Sequence, residues 1–245
     1  MIFYALSIFS IVIFVLCRAE QFTIPVITCK RNSTDYSTCL TASLQKTWPR
    51  IQEGIPEFDI PRLDPFYYED GKVVFNANEI YGEGFIANAT LYGFKNFHFL
   101  DMRPHFLNDI FRLEVDMIVP KIIIESNVDG NANLLGIQIH GAGQFNLTLN
   151  DNKITWDVTG YVKNDTWIVE HFQFILTIGS LKTQLNGFFD GIKELNDVLE
   201  DFINEYWPPM YRVIGSEVLQ QIGDPFLTNL TNHFFSKVPF SKIFP

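Results

Sequence analysis

One stretch constrains the fold of this 245-residue chain more than any other, residues 190–235. Leu195, Val198, Leu199, Phe202, Ile203 and Tyr206 recur at the i, i+3, i+4, i+7 spacing of one helical face. Glu194, Asp197, Glu200, Asp201, Asn204 and Glu205 fill the opposite side. The apolar face resumes after Pro208 and Pro209 with Met210, Ile214, Val218 and Ile222. Paired prolines remove two backbone donors and crowd the preceding turn, so a kink is expected there. Asp224 and Pro225 fit the N-cap and first position of a closing segment that ends near Phe235. A helix this long needs a partner for its apolar stripe.

That partner lies upstream, where the hydrophobic period is 2 from Gly71 to Ile178. Phe85, Ala87, Ala89 and Leu91 alternate with Ile86, Asn88, Thr90 and Tyr92. Leu135, Ile137, Ile139, Gly141, Gly143, Phe145, Leu147 and Leu149 alternate with Gln138, His140, Gln144 and Asn146. Asn88 and Asn146 each open an Asn-x-Thr sequon, so a sugar on either must face water. That places the odd positions of both segments inward. Phe111, Leu113, Val115, Met117 and Val119 form a third inward row, and beyond Pro120 the parity passes to Ile122 and Ile124, as at a bulge. Ile154, Trp156, Val158, Gly160 and Val162 form a fourth, and Ile168, Phe172, Phe174, Leu176 and Ile178 a fifth. Residues 127–133 and 150–152 have turn composition. Adjacent alternating segments imply antiparallel meanders with one apolar face. The strands are expected to curl around the helix, an α+β arrangement.

Ahead of the strands, residues 35–52 form a shorter helical pattern with Leu40, Leu44, Thr47, Trp48 and Ile51 on one face; Pro49 should kink or end it and Gly54 stop it. Three prolines, Pro56, Pro61 and Pro65, then hold an extended connector. Residues 1–19 have the character of a secretory leader, apolar from Ile2 to Leu16 and closing on Cys17-Arg18-Ala19. The run is short for a membrane span, which needs about 20 apolar residues. Residues 20–245 are then the mature, secreted domain, long enough to bury a core. In an oxidising compartment Cys29 and Cys39 form a disulfide rather than two free thiols or a metal pair. Five sequons, at Asn32, Asn88, Asn146, Asn164 and Asn229, make N-glycosylation expected. The net charge of −10, with no basic cluster, argues against nucleic acid and against stable membrane insertion or an anionic membrane surface as partner.

No catalytic, metal or cofactor constellation stands out. His98, His105, His140, His171 and His233 are scattered and form no His-Glu-x-x-His. Gly82-Glu83-Gly84 and Gly141-Ala142-Gly143 resemble phosphate loops by letters only, because each lies in a strand pattern and no helix N-terminus follows. Ser216 lacks the Gly-x-Ser-x-Gly frame. What is abundant is aromatic surface, with 24 Phe, 9 Tyr and 4 Trp. It fills either a large core or the walls of an apolar tunnel. Inward parity nominates Phe85, Leu91, Phe97, Val115, Ile137, Phe145, Trp156, Phe174 and Leu176 as tunnel wall, faced by Phe202, Tyr206 and Met210. Tyr206 or Trp156 would supply a polar anchor, and the helix bend would lie between Tyr206 and Met210. Ordinary core packing is the competing reading for each.

A family likeness adds to this. Cys29 and Cys39 precede a helix and then Gly54-Ile55-Pro56-Glu57-Phe58-Asp59-Ile60-Pro61-Arg62-Leu63-Asp64-Pro65. That connector resembles the one in the insect takeout and juvenile-hormone-binding protein family. Val119-Pro120-Lys121, Gly141-Ala142-Gly143-Gln144-Phe145, the helical Phe202 to Trp207 and the closing Val238 to Pro245 follow in the family's order. The chain lacks cysteines for the second disulfide usual in haemolymph juvenile-hormone carriers, which moves the resemblance toward the takeout branch. The resemblance implies a strongly curved antiparallel sheet wrapped around one long C-terminal helix, related to the tubular lipid-binding proteins. It also implies a secreted, non-enzymatic carrier for a small hydrophobic ligand, such as a terpenoid hormone, fatty-acid derivative or quinone-like lipid. Two rival classes remain: a signalling protein whose outer surface binds a cell-surface receptor, and a secreted hydrolase, which would need the catalytic group not found above.

Overall fold

The computed structural model describes residues 29–77, 80–134, 136–189 and 192–245. The leader expected over 1–19 lies outside them, as do Leu135 and Asp190. Cys29 is bonded to Cys39 in the first turn of helix α1 (Tyr36–Gln52), as expected. A cross-link over so short a loop restricts the unfolded chain by about 3 kcal/mol in the loop-entropy picture. Tyr36, Leu40 and Trp48 are the buried apolar residues of α1. The helix runs on past Pro49 to Gln52 and stops before Gly54, whose φ of 86° suits glycine. The connector is not helical beyond one 3-10 turn, Pro56–Phe58, and Ile55 pairs with Ile60 across it.

Seven antiparallel strands follow: β1 (Phe66–Ala77), β2 (Ile80–Tyr92), β3 (His98–Leu107), β4 (Ile110–Leu134), β5 (Ile137–Lys163), β6 (Thr166–Thr177) and β7 (Ser180–Asn186). β4 and β5 pair along their whole length and form the spine. One half of β4 carries β3 and the other carries β2, with β1 beyond it. β5 carries β6 and β7 in the same divided way. The two polar runs expected as turns lie inside these long strands. In 127–133 the polar residues Asn127, Asp129 and Asn131 occupy alternate positions on the outer face, and Val128, Gly130 and Ala132 lie between them. In 150–152 the strand runs on through one left-handed residue, Asp151 at φ 53°, and its register with β4 is unbroken.

Bulges let single strands serve a sheet whose inward parity changes. At Pro120 the handover from Val119 to Ile122 is as expected, and both are buried. Opposite it, Asn152 is buried, with Nδ2 donating to the carbonyls of Val119 and Leu149. A second bulge overturns the parity expected for β2. Asn88 adopts φ 52°, and the register shifts between Ala87 and Thr90. Ala89 and Leu91 face inward, but Ile86, paired with Val128, replaces Phe85 and Ala87 on that face. Phe85 pairs with Asp129 on the outer face and is 52% exposed. A third shift, in β6, turns Trp167 and Val169 inward in place of Ile168.

The sheet curves strongly around one long helix, built from α2 (Lys193–Met210), a π turn (Tyr211–Gly215) and α3 (Ser216–Lys237). Pro208 and Pro209 lie within α2, so the irregularity falls one turn later than the expected kink. The Tyr211 ring covers Gly215, where a Cβ would stand 2.2 Å from Cδ2. Asp224 is no N-cap, because α3 continues through Pro225. Its carboxylate instead accepts from the Phe172 backbone N–H and the Thr228 hydroxyl.

A sheet edge exposes unpaired backbone groups that need partners. Here one amide side chain serves each edge strand. Gln45 of α1 accepts from Phe99 N–H and donates to the Phe97 carbonyl beside β3. Asn204 of α2 grips both backbone groups of Thr183 in β7. Gln221 and Asn232 of α3 do the same at Val74 in β1 and Val169 in β6. The helix thus joins edges on both sides of the sheet. A short α4 (Phe240–Ile243) folds back, and Phe240 and Phe244 enter an aromatic cluster with Phe111 and Trp167.

Candidate functional site: an open apolar trough

The interior divides into two unlike halves. Around α1, β3, the first half of β4, the second half of β5, and β6, it is packed. Trp48 stacks on Phe97 at 5.0 Å between ring centroids, and Trp156 meets Trp48, Phe97, Phe99 and Phe172 at 5.8–6.2 Å. Beyond Ile122 and Leu149 the inward face thins. Gly82, Gly84, Gly130, Gly141 and Gly143 take inward positions there, beside Ala89 and Ala132. Rings lie over several of these glycines. Phe188 covers Gly141 and Gly143, and Phe75 covers Gly82. The floor is therefore apolar and built of small residues with a few aromatic rings laid over them.

The helix half over this floor leaves apolar surface uncovered. Leu195, Val198, Phe202 and Tyr206, expected to be the buried face, are exposed in α2, Phe202 at 44% and Tyr206 at 47%. The cause lies on the polar side. Asn196 accepts from Phe188 N–H, Glu200 from Leu185 N–H and Asn204 from Thr183 N–H. This i, i+4, i+8 row turns α2 toward the β7 edge. Sequence reasoning assigned Glu200 and Asn204 to solvent; only strand pairing, which periodicity does not show, reveals that an edge needed them.

The nominated wall residues fall into three groups. Phe97, Val115 and Leu176 are buried in the packed half, where side chains fill the space. Trp156 and Phe174, packed against that core and half-buried, reach the boundary, while Leu91, Phe145 and Met210 are half-buried farther out. Ile137 is on the inward side at the far end and is 67% exposed. Phe85 is outside the trough altogether, turned by the Asn88 bulge. The expected placement of Tyr206 beside an enclosed ligand tunnel is corrected too, since its ring is half in solvent and lies tilted against Phe202, 5.1 Å between centroids.

Polar groups near the interior are few. The Trp156 indole N–H is buried without a hydrogen-bond partner, an N–H that an acceptor would satisfy. Tyr211 donates its hydroxyl to the Leu176 carbonyl at 2.7 Å, and burial pushes its pKa up, so it stays a neutral donor. Such a surface can hold an apolar molecule and orient it with one or two hydrogen bonds.

A curved antiparallel sheet, joined along its edges to one long helix over an apolar interior, defines a binding fold for lipophilic ligands. The chain matches the haemolymph juvenile hormone binding protein family over residues 8–245, and it belongs to that family. It is 22% identical over 244 residues to the circadian clock-controlled protein daywake of Drosophila melanogaster, covering 93% of this chain and 91% of the relative. The daywake protein of Drosophila yakuba is 20% identical over 236 residues, covering 92% and 89%. The crystal structure of Takeout 1 from Epiphyas postvittana shares the fold, with a TM-score of 0.71 and 21% identity over 84% of this chain and 95% of that one.

Proposed function

We propose that the protein is a secreted carrier that holds a small hydrophobic ligand, a terpenoid, a fatty-acid derivative or a similar lipid, in the apolar trough. The observation that carries this reading is the uncovered stripe of α2 above a floor thinned by glycine and alanine. Exposed contiguous apolar surface of this kind marks a binding site in a protein that stays in water. Covering it returns about 25 cal/mol per Å² of apolar area, offset in part by ordering the ligand. Secretion is supported by the leader pattern over 1–19 and by the Cys29–Cys39 disulfide. Among the described residues no helix is long and apolar enough to cross a membrane.

Denaturing extraction of protein purified from a secreting cell, followed by mass spectrometry, tests the proposal together with titration by a fluorescent fatty-acid probe. The expected result is one lipid or one probe per chain. Phe202→Glu, which places a charge on the stripe, should weaken probe binding about tenfold or more, the scale of losing 1.4 kcal/mol. An empty extract with no saturable probe binding would overturn the carrier reading.

A further inference from the structure

The outer face of the sheet carries an open groove that a ligand in the trough does not touch. It consists of two adjoining clefts of about 480 and 360 Å³. Tyr67, Tyr68 and Glu69 line the first, and Glu125, Gln144 and Asn146 help to line the second. Asn88 and Thr90, the first and third residues of a sequon, line both. At 71%, Tyr67 is the most exposed large apolar side chain among the described residues.

The backbone explains this arrangement. Asn88 stands at the crest of the β2 bulge with φ 52°, a conformation asparagine tolerates better than most residues. The bulge leaves its side chain exposed beside the cleft. Thr90 is the direct cross-strand partner of Tyr67, so the sequon and the bare ring share one face at neighbouring register positions. Of the five sequons, only this one has its threonine opposite an exposed tyrosine. Asn146 is half-buried, and Asn164 adjoins Asp165, which is held by Ser241.

We propose that Asn88 is N-glycosylated and that its first N-acetylglucosamine seats on the Tyr67 ring in this cleft. The proposal rests on secretion. The donor is a lipid-linked diphosphate oligosaccharide. The Asn88 amide nitrogen bonds to the anomeric carbon of the sugar, the bond to the diphosphate breaks, and one amide proton is released. One face of a pyranose is lined with C–H groups, which pack on an aromatic face as other apolar groups do. Glu69 and Thr90 supply hydrogen-bonding partners for its hydroxyls and acetamide at the cleft rim. The sugar covers the most exposed ring on the sheet and so stabilises the bulged crossing of β1 and β2.

Protein secreted from insect cells tests this by site-resolved glycopeptide mass spectrometry and by thermal denaturation. Asn88 should be occupied, and trimming the glycan to its first sugar should leave Tm unchanged. Tyr67→Ser should then lower Tm by about 2–4 °C in the trimmed protein, the shift of a single aromatic contact in a chain of this size. The same substitution should have no effect on Tm in Thr90→Val, which carries no sugar at Asn88. An unmodified Asn88 beside another modified sequon overturns the proposal, as does an equal Tm loss with and without the sugar. Absence of sugar from every sequon overturns it as well, whereas lipid binding in the same sample reports separately on the carrier.

Discussion

Arg103 on β3 is the hub of the outer face at the packed end. It donates to Asp101 at 2.8 Å, to Asp116 at 2.7 Å and to Glu114 at 3.4 Å, while Arg112 ties Glu114 to Asp157. Hydrogen bonds hold three carboxyls below their usual range: chiefly from Ser37 and then Arg103 at Asp101, from Arg103 at Asp116, and from His105 at Glu114. Groups with depressed pKa values contribute stability that is full above the ordinary carboxylate range and is lost as pH falls through the lower folded values. Urea midpoints should therefore fall as pH drops from about 5 toward 3, and Arg103→Gln should flatten that dependence. At neutral pH the substitution should cost only about 1 kcal/mol or less, since these side chains are partly solvated. A slope unchanged in Arg103→Gln would show that other carboxyls govern acid unfolding. Gly160 makes a sharper residue-level case. A Cβ there would stand 2.0 Å from the Ile168 carbonyl oxygen, at the bulge between β5 and β6. Gly160→Ala should cost about 1–3 kcal/mol, read from the urea midpoint. Neither feature was legible in the sequence. Arg103 looks like any polar strand residue until Glu114 is brought opposite and Asp116 beside it, and Gly160 looked like one more inward position in a strand.

The elements themselves were largely legible because alternation is a local signal. The inward rows of β4 and β5 need only their own side chains to declare a face, and the Pro120 handover announced itself by a parity change. The bulges at Asn88 and Glu170 did not, because apolar residues stand on both faces beside each, Phe85 with Ile86 and Ile168 with Trp167. The helix shows the same limit. Its apolar stripe was visible, but the partners of Asn204, Gln221 and Asn232 depend on which strands became edges. These amides make a graded prediction. Asn232, half-buried, holds both backbone groups of Val169 at 2.7 and 2.8 Å. Asn232→Ala should cost about 1–3 kcal/mol, because two paired backbone groups lose partners. Gln221→Ala, at an exposed clip, should cost less, because water replaces the amide. Native-state hydrogen exchange checks this directly. Protection of the Val169 amide should drop in the first variant, and that of Val74 should change little in the second. Equal losses would mean that burial at the two edges does not set the strength of the clips.

At the scale of the whole molecule, the packed and open halves have different tasks. The aromatic half, anchored by the disulfide and closed by Phe240 and Phe244, supplies stability without a ligand. The other half presents a shallow floor, two amide-clipped edges, at β1 and β7, and a helix stripe in contact with water. That asymmetry predicts where a ligand acts. A molecule that binds the folded chain stabilises it by RT ln(1 + [L]/Kd), about 2.7 kcal/mol at one hundred times Kd. In a chain of this size that corresponds to a rise in Tm of about 5–11 °C. The gain should not be spread evenly. Leu195, Val198, Phe202 and Tyr206 go from water to contact, so the amides of α2 should exchange more slowly, while those of the already buried Trp167 and Phe235 should change only with global stability. A saturating fatty acid or terpenoid, followed by hydrogen exchange resolved along the helix, makes the comparison within one molecule. Greater protection confined to residues 193–215 would mark the trough as the binding site. Uniform slowing along the whole helix would mean that the ligand acts only through global stability, and a local gain near Trp48 would move the site into the packed half.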